Sequence, residues 1–101
     1  LLMDQGDFAG ALPLNRRVLT GREAELGAEH PFTLIAVGNL ACTLEKLGRF
    51  DEAEALHRRA LAGEEVRHGP THPSTVRAVW NLAAFLAMKR KRYAEAVSLF
   101  R

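Results

Sequence analysis

Between Pro31 and Leu47 the apolar residues Val37, Leu40, Ala41, Leu44 and Leu47 return at helical spacing, which gathers them on one stripe. Pro31 suits the first turn of such a helix, where a missing N–H costs no hydrogen bond. Thr33 follows close behind, and Gly48 stands where a helix end favours a residue free to adopt positive φ. A second helical pattern begins at Phe50-Asp51-Glu52, with acids in the first turn where the helix dipole favours them. It runs on through Ala53, Leu56, Ala60 and Leu61 and ends before Gly69. The same reading along the chain predicts helices over roughly 8–26, 31–47, 51–68, 73–89 and 93–101. Pro13 falls early in the first of these, where only the first hydrogen bond of the helix is expected to be lost. No segment alternates apolar and polar residues with period two, so no sheet is expected.

The pattern also repeats. Shifting the sequence by 42 residues lays 6–47 over 48–89 with 19 identities. Leu14-Asn15-Arg16-Arg17 falls on Leu56-His57-Arg58-Arg59, His30-Pro31-Phe32-Thr33 on His72-Pro73-Ser74-Thr75, and Asn39-Leu40-Ala41 on Asn81-Leu82-Ala83. Tyr93-Ala94-Glu95-Ala96 opens a further copy at a shift of 43, so the basic stretch Lys89-Arg90-Lys91-Arg92 reads as a turn that has gained one residue. The expectation is one domain over 1–101, holding the tail of one unit, two linked periods and the start of a last helix from a longer array. Small residues at Ala11, Ala41, Ala53, Ala83 and Ala96 would let helix backbones approach, with Phe8, Phe50 and Tyr93 filling space at the turns. A single pair of helices cannot bury its apolar face alone, so neighbouring pairs must stack. The fold class is all-α, an α-solenoid of antiparallel helix pairs.

Gly48-x-Phe50-x-x-Ala53 with Leu56, Ala60 and Leu61 resembles the second-helix signature of tetratricopeptide repeats. The 42-residue period, Glu29-His30-Pro31 and Asn39-Leu40-Ala41 resemble the kinesin light chain-like subtype. The resemblance covers nearly the whole chain and implies a right-handed superhelix whose first helices line a concave, peptide-binding surface. It departs from the family pattern at Gly38 and Trp80, which differ at equivalent positions. Asn15 and His57 replace the usual aromatic of the second helix, and looser packing is expected there.

At about 100° per residue, Val79, Leu82, Ala83 and Leu86 form the packing face of the fourth helix. Arg77, Trp80, Asn81, Ala84 and Met88 fall on another face, matched one period earlier by Ile35, Gly38, Asn39, Cys42 and Lys46. Stacking would set these two stripes side by side, and the resemblance implies that Asn39 and Asn81 hydrogen-bond the backbone of a bound peptide. An amide side chain donates and accepts at once, so it can hold an extended chain without selecting its sequence. Trp80 and Met88 would supply apolar contacts, and Arg77 and Lys46 would meet acidic side chains. Each residue also has a structural reading. The two asparagines could bond a neighbouring helix, Trp80 could pack between repeats or opposite Gly38, Arg77 and Lys46 could be solvated, and Cys42 could be a small apolar filler.

Composition narrows the function further. The net charge of +2 is too small for an electrostatic nucleic-acid footprint, and one four-residue basic run offers few phosphate contacts. No apolar run approaches the roughly 20 residues needed to span a bilayer. The single cysteine excludes an internal disulfide or a cysteine-based zinc cluster and fits a reducing, cytoplasmic setting. His30 and His72 recur just before a proline, which argues for a turn role. His68 and His72 are separated by Gly69-Pro70, which would break any helix aligning them as metal ligands. No phosphate loop, HExxH pattern or nucleophile elbow occurs. The reading is therefore a non-enzymatic scaffold for a protein or peptide, with no cofactor, no catalytic residue, no nucleic acid and no membrane. Two alternatives are an end-to-end self-assembly module and a regulatory arm of a larger ATPase or protease.

Overall fold

The computed structural model describes residues 7–99, the side chains of Ala96 and Leu99 excepted. The close-approach role expected of the Ala96 side chain, and residues 100–101 of the last expected helix, therefore lie outside the described residues. Four helices follow one another: α1 (Phe8–Leu26), α2 (Pro31–Lys46), α3 (Phe50–His68) and α4 (Pro73–Leu99). No strand occurs among the described residues. Packing runs α1 on α2, α2 on α3 and α3 on α4, and no other pair packs along its length. With connections this short, sequence neighbours must run antiparallel. The result is an open, stepped stack of 49 × 32 × 20 Å instead of a closed bundle.

Local chemistry sets each helix end. His30 and His72 are the N-caps of α2 and α4, and their Nδ1 atoms accept the backbone N–H of Phe32 and Ser74, both at 3.1 Å. Gly27, Gly48 and Gly69 follow α1, α2 and α3 at φ of 92°, 80° and 82°, where a Cβ would be strained. Gly48 completes a Schellman end, with Arg49 N–H donating to the Leu44 carbonyl at 2.9 Å and Gly48 N–H to Glu45 at 3.1 Å. In α1 the Ala11 N–H already donates to the Asp7 carbonyl at 3.1 Å. Pro13, two residues further on, therefore interrupts the hydrogen-bond ladder once it has begun, later than expected.

The core centres on α2, half of whose 16 residues are buried. Val37, Leu40 and Leu44 join Leu19 of α1, Ala53 of α3, and Leu82 and Phe85 of α4 in one cluster. Ala11, Ala41 and Ala53 are buried as expected of close-approach positions. The step between units is fixed by a repeated polar clamp. The buried Thr33 hydroxyl donates to the Arg22 carbonyl at 3.3 Å, and the buried Thr75 hydroxyl to the Glu64 carbonyl at 3.2 Å.

The looser packing expected at Asn15 and His57 is not found. Asn15 Nδ2 donates to the buried Thr43 hydroxyl at 2.7 Å. One period later the same pair of positions holds His57 and Phe85, both buried, with ring centroids 5.1 Å apart. His57 Nε2 also lies 3.3 Å from Glu45 Oε1.

The turn expected at Lys89–Arg92 does not form, and α4 runs unbroken from Pro73 to Leu99. The reason is compositional. The preceding unit reverses through Gly48, whereas Lys89-Arg90-Lys91-Arg92 offers no glycine and is built of good helix formers. Among the described residues no helix packs over this flank of α4, and Val79 is 45% and Tyr93 60% exposed, with Ala83 open too. Their counterparts Val37 and Ala41, under α3, are 0% exposed. Leu47, expected in the packing stripe, instead caps α2 and is exposed. Lys89 is drawn onto α3, bonding Glu54 at 2.8 Å with Asp51 at 3.6 Å. Hydrogen bonds from Lys89 and then Arg58 hold the Glu54 carboxyl below the ordinary glutamate range.

Two equivalent glycines differ in their surroundings. A methyl group added at Gly21 meets nothing within 4 Å, whereas at Gly63 it would come 2.6 Å from Leu34 Cδ2. Gly21→Ala should therefore gain about 1 kcal/mol from helix propensity and raise the thermal midpoint by a few degrees. Gly63→Ala should fail to match that gain, because Leu34 must move. Thermal unfolding of both variants checks this, and equal gains would contradict the packing at Leu34.

Candidate functional site

α2 and α4 both lean on α3 but do not pack along each other, and a trough of about 330 Å³ lies between them. Ile35, Gly38, Asn39 and Cys42 form the α2 wall, at spacings of three, one and three residues. Ser74, Arg77, Ala78 and Asn81 form the α4 wall at the same spacings. His57, Ala60 and Glu64 of α3 line the floor, together with Leu34. Each wall is thus one face of a helix.

Of the residues singled out from the sequence, Ile35, Asn39, Cys42, Arg77 and Asn81 come together in this trough. Lys46, Trp80, Ala84 and Met88 do not line it. Met88 packs against the core, Lys46 and Ala84 are exposed outside the trough, and Trp80 is 70% exposed. Trp80 therefore neither fills an inter-repeat core nor faces this cavity. The difference has a simple geometric cause. Expecting the same stripe from both helices treats them as facing the same way. In a stepped stack one trough receives the trailing flank of the first helix and the leading flank of the next. On α4 the leading flank is Ser74–Asn81, about one turn earlier than the stripe equivalent to α2's. Arg77 and Asn81 belong to both flanks, which is why they were found; Ser74 and Ala78 were missed. The floor residues His57 and Glu64 were missed because sequence reading assigned α3 to packing alone. Their spacing with Ala60, at i, i+3 and i+7, is the signal that could have found them.

The polar groups of the trough fall into two kinds. His57 is committed to Glu45 and to the Phe85 ring. The side chains of Asn39, Asn81 and Arg77 are exposed and form no hydrogen bond or ion pair among the described residues. Cys42 is exposed as a residue, but its thiol is partly buried against the wall. That burial, reinforced by the Glu45 carboxylate and opposed by Lys46, holds its pKa above the ordinary thiol value. The thiol is accordingly protonated and a weak nucleophile at neutral pH.

Gly69-Pro70 separates α3 from α4 as expected, and the turn brings His68 and His72 together without aligning them on one helix. Their rings stack with centroids 4.1 Å apart and planes 17° apart. Nδ1 of His72 serves the α4 cap, and near-parallel rings do not converge their in-plane lone pairs on one point. Among the described residues no helix is long and apolar enough to cross a membrane.

This geometry agrees with the comparison to known families. The tetratricopeptide repeat model matches residues 1–63 and again 45–101, two overlapping stretches that span the chain. The protein belongs to the tetratricopeptide repeat family, whose repeats are generally protein–protein interaction modules and typically non-enzymatic scaffolds. Comparison with curated proteins gives no match.

The raised pKa makes Cys42 a measurable marker of the trough wall. Its alkylation by iodoacetamide at neutral pH should be several-fold slower in the native chain than in the same chain unfolded in urea. Mass spectrometry over time reads both rates, and equal rates would contradict the wall geometry.

Proposed function

We propose that this chain is a protein–protein interaction module that holds an extended peptide segment in the trough between α2 and α4. One observation carries the reading: the equivalent residues Asn39 and Asn81 reach the same trough from opposite walls, each with an amide unpaired among the described residues. An asparagine that served helix packing would need a partner within the protein. Two such amides facing across a trough match the alternating N–H and C=O groups of an extended backbone. Arg77, equally unpaired, is placed to take an acidic side chain beside that backbone. The 42-residue period and the His-Pro turns support assignment to the kinesin light chain-like subtype. The lone protonated thiol suits a reducing, cytoplasmic setting.

A second reading rests on the open flank of α4, where Val79 and Tyr93 are exposed although the equivalents of Val79 and Ala83 on α2 are covered. That flank would pair with a helix of α3-like character in another copy of the chain. Light scattering should then show mass rising with concentration, and a constant monomer mass excludes it.

The peptide reading is tested with peptides selected from a random linear library by the full chain. Asn39→Ala combined with Asn81→Ala should weaken their binding about tenfold or more, since each amide contributes on the order of 1 kcal/mol. The far-ultraviolet circular dichroism should not change. Unaltered affinity in fluorescence anisotropy would remove the trough from the mechanism.

A further inference from the structure

Most carboxylates on α1, α2 and α3 that sit near other elements have found a cation or donor. Glu23 pairs with Arg59, Glu45 with His57, Glu52 with Arg16, and Glu54 with Lys89 and Arg58. Glu64 is different. Its Oε2 is buried and has no hydrogen-bond partner among the described residues, and the residue lines the floor of the trough. A carboxylate oxygen withdrawn from water without a donor is costly, so its retention needs a compensating role. Packing does not supply one: the clamp at this position uses the Glu64 backbone carbonyl, which accepts from Thr75, and leaves the side chain out of it. The equivalent position one period earlier holds Arg22, whose carbonyl takes the same clamp from Thr33. Arg22 reaches the Phe32 carbonyl at 2.8 Å, so the side chain there serves the fold. Of these two equivalent positions, the one in this trough carries the acid.

We infer that Glu64 is a subsite for a basic side chain, so that the segment held in the trough carries a Lys or Arg. This rests on the peptide reading and adds the chemistry of the occupant. The Asn39 and Asn81 amides hold its backbone between the walls, and a Lys or Arg side chain descends between them to the Glu64 carboxylate on the floor. Charge complementarity completes the pattern, with Arg77 on the α4 wall favouring an acid elsewhere in the segment. A cation drawn to Glu64 neutralises the carboxylate and makes a charge-assisted hydrogen bond with it, whereas a neutral side chain leaves the charge uncompensated. Discrimination of this kind is strong because the wrong occupant leaves that charge unpaired.

The test selects binders from a random linear peptide library on the full chain, on Glu64→Gln and on Glu64→Arg. Cys42 alkylation identifies those peptides that occupy the trough. Trough-protecting peptides from the unaltered chain should be enriched in Lys or Arg at one position. The enrichment should vanish with Glu64→Gln and turn to Asp or Glu with Glu64→Arg. A basic peptide should lose about tenfold or more in affinity for Glu64→Gln, while that variant melts no lower than the parent. Peptides that protect Cys42 without basic enrichment would overturn the subsite and leave the peptide reading standing. Peptides that bind without protecting Cys42, or none that bind, would overturn both. A Glu64→Gln chain that melts well below the parent would show that the carboxylate serves the fold.

Discussion

Val37 and Ala41 are shut off from water because α1 and α3 close on α2 from both sides. Everything else in the architecture depends on that two-sided burial. An isolated helix of 16 residues is marginal in water, and a single helix pair leaves its outer face wet. Stacking removes that exposure, and the Thr33 and Thr75 hydroxyls fix the spacing at which it happens. The flank of α4 shows the converse. The same residue types in the same register, Val79 and Ala83, are exposed where no helix covers them. Sequence makes the face apolar, and a neighbour makes it a core.

Stacking of this kind would tolerate sliding if its contacts were all apolar, because hydrophobic attraction has no direction. The paired positions between second and first helices resist that. Asn15 with Thr43 is a hydrogen bond, and His57 with Phe85 is a tilted ring contact. These two solutions occupy one location in successive units. Exchanging Thr43 alone for phenylalanine would strand the Asn15 amide against a phenyl ring. Each interface thus carries its own lock, and adjacent units are not interchangeable despite their common frame.

How much of this could be read from the sequence follows from the range of the interactions involved. The all-α class and the paired helices rest on short-range signals: His-Pro starts, glycine ends and an apolar stripe at helical spacing. Those signals act within one turn and were legible. The continuous α4 was misread because repeat logic projected a turn onto Lys89–Arg92, although the residue that makes the turn, Gly48, had been replaced. The trough was half legible. Asn39, Arg77 and Asn81 are visible to any helical projection, but the residues that face them depend on how far one helix is displaced and rotated relative to the next. That displacement is a tertiary quantity, set by Leu34 against Gly63 and by the threonine clamps, and no periodicity in the chain encodes it directly. Glu64 was hidden for the same reason, since only packing shows that its Oε2 is buried without a partner among the described residues.

The offset between flanks also divides the labour among the first-helix residues. Asn39 lines the trough from the trailing side of α2, while its equivalent Asn81 lines it from the leading side of α4. Positions 39 and 81 therefore sit on the ridge of their helices, able to serve a trough on either hand. Positions 38 and 80 lie on the trailing flank only, and there the sequence places Gly38 in one unit and Trp80 in the next. Positions 32 and 74 lie on the leading flank, occupied by Phe32 and Ser74. The asparagine is identical at one ridge position, while the other ridge position holds Ile35 in one unit and Arg77 in the next, so under the proposed function a common backbone grip would be combined with locally chosen side-chain contacts. Change at a flank alters one trough, whereas change at a ridge asparagine acts on both; under the proposed function this asymmetry would let specificity vary unit by unit while the hold on an extended chain is kept.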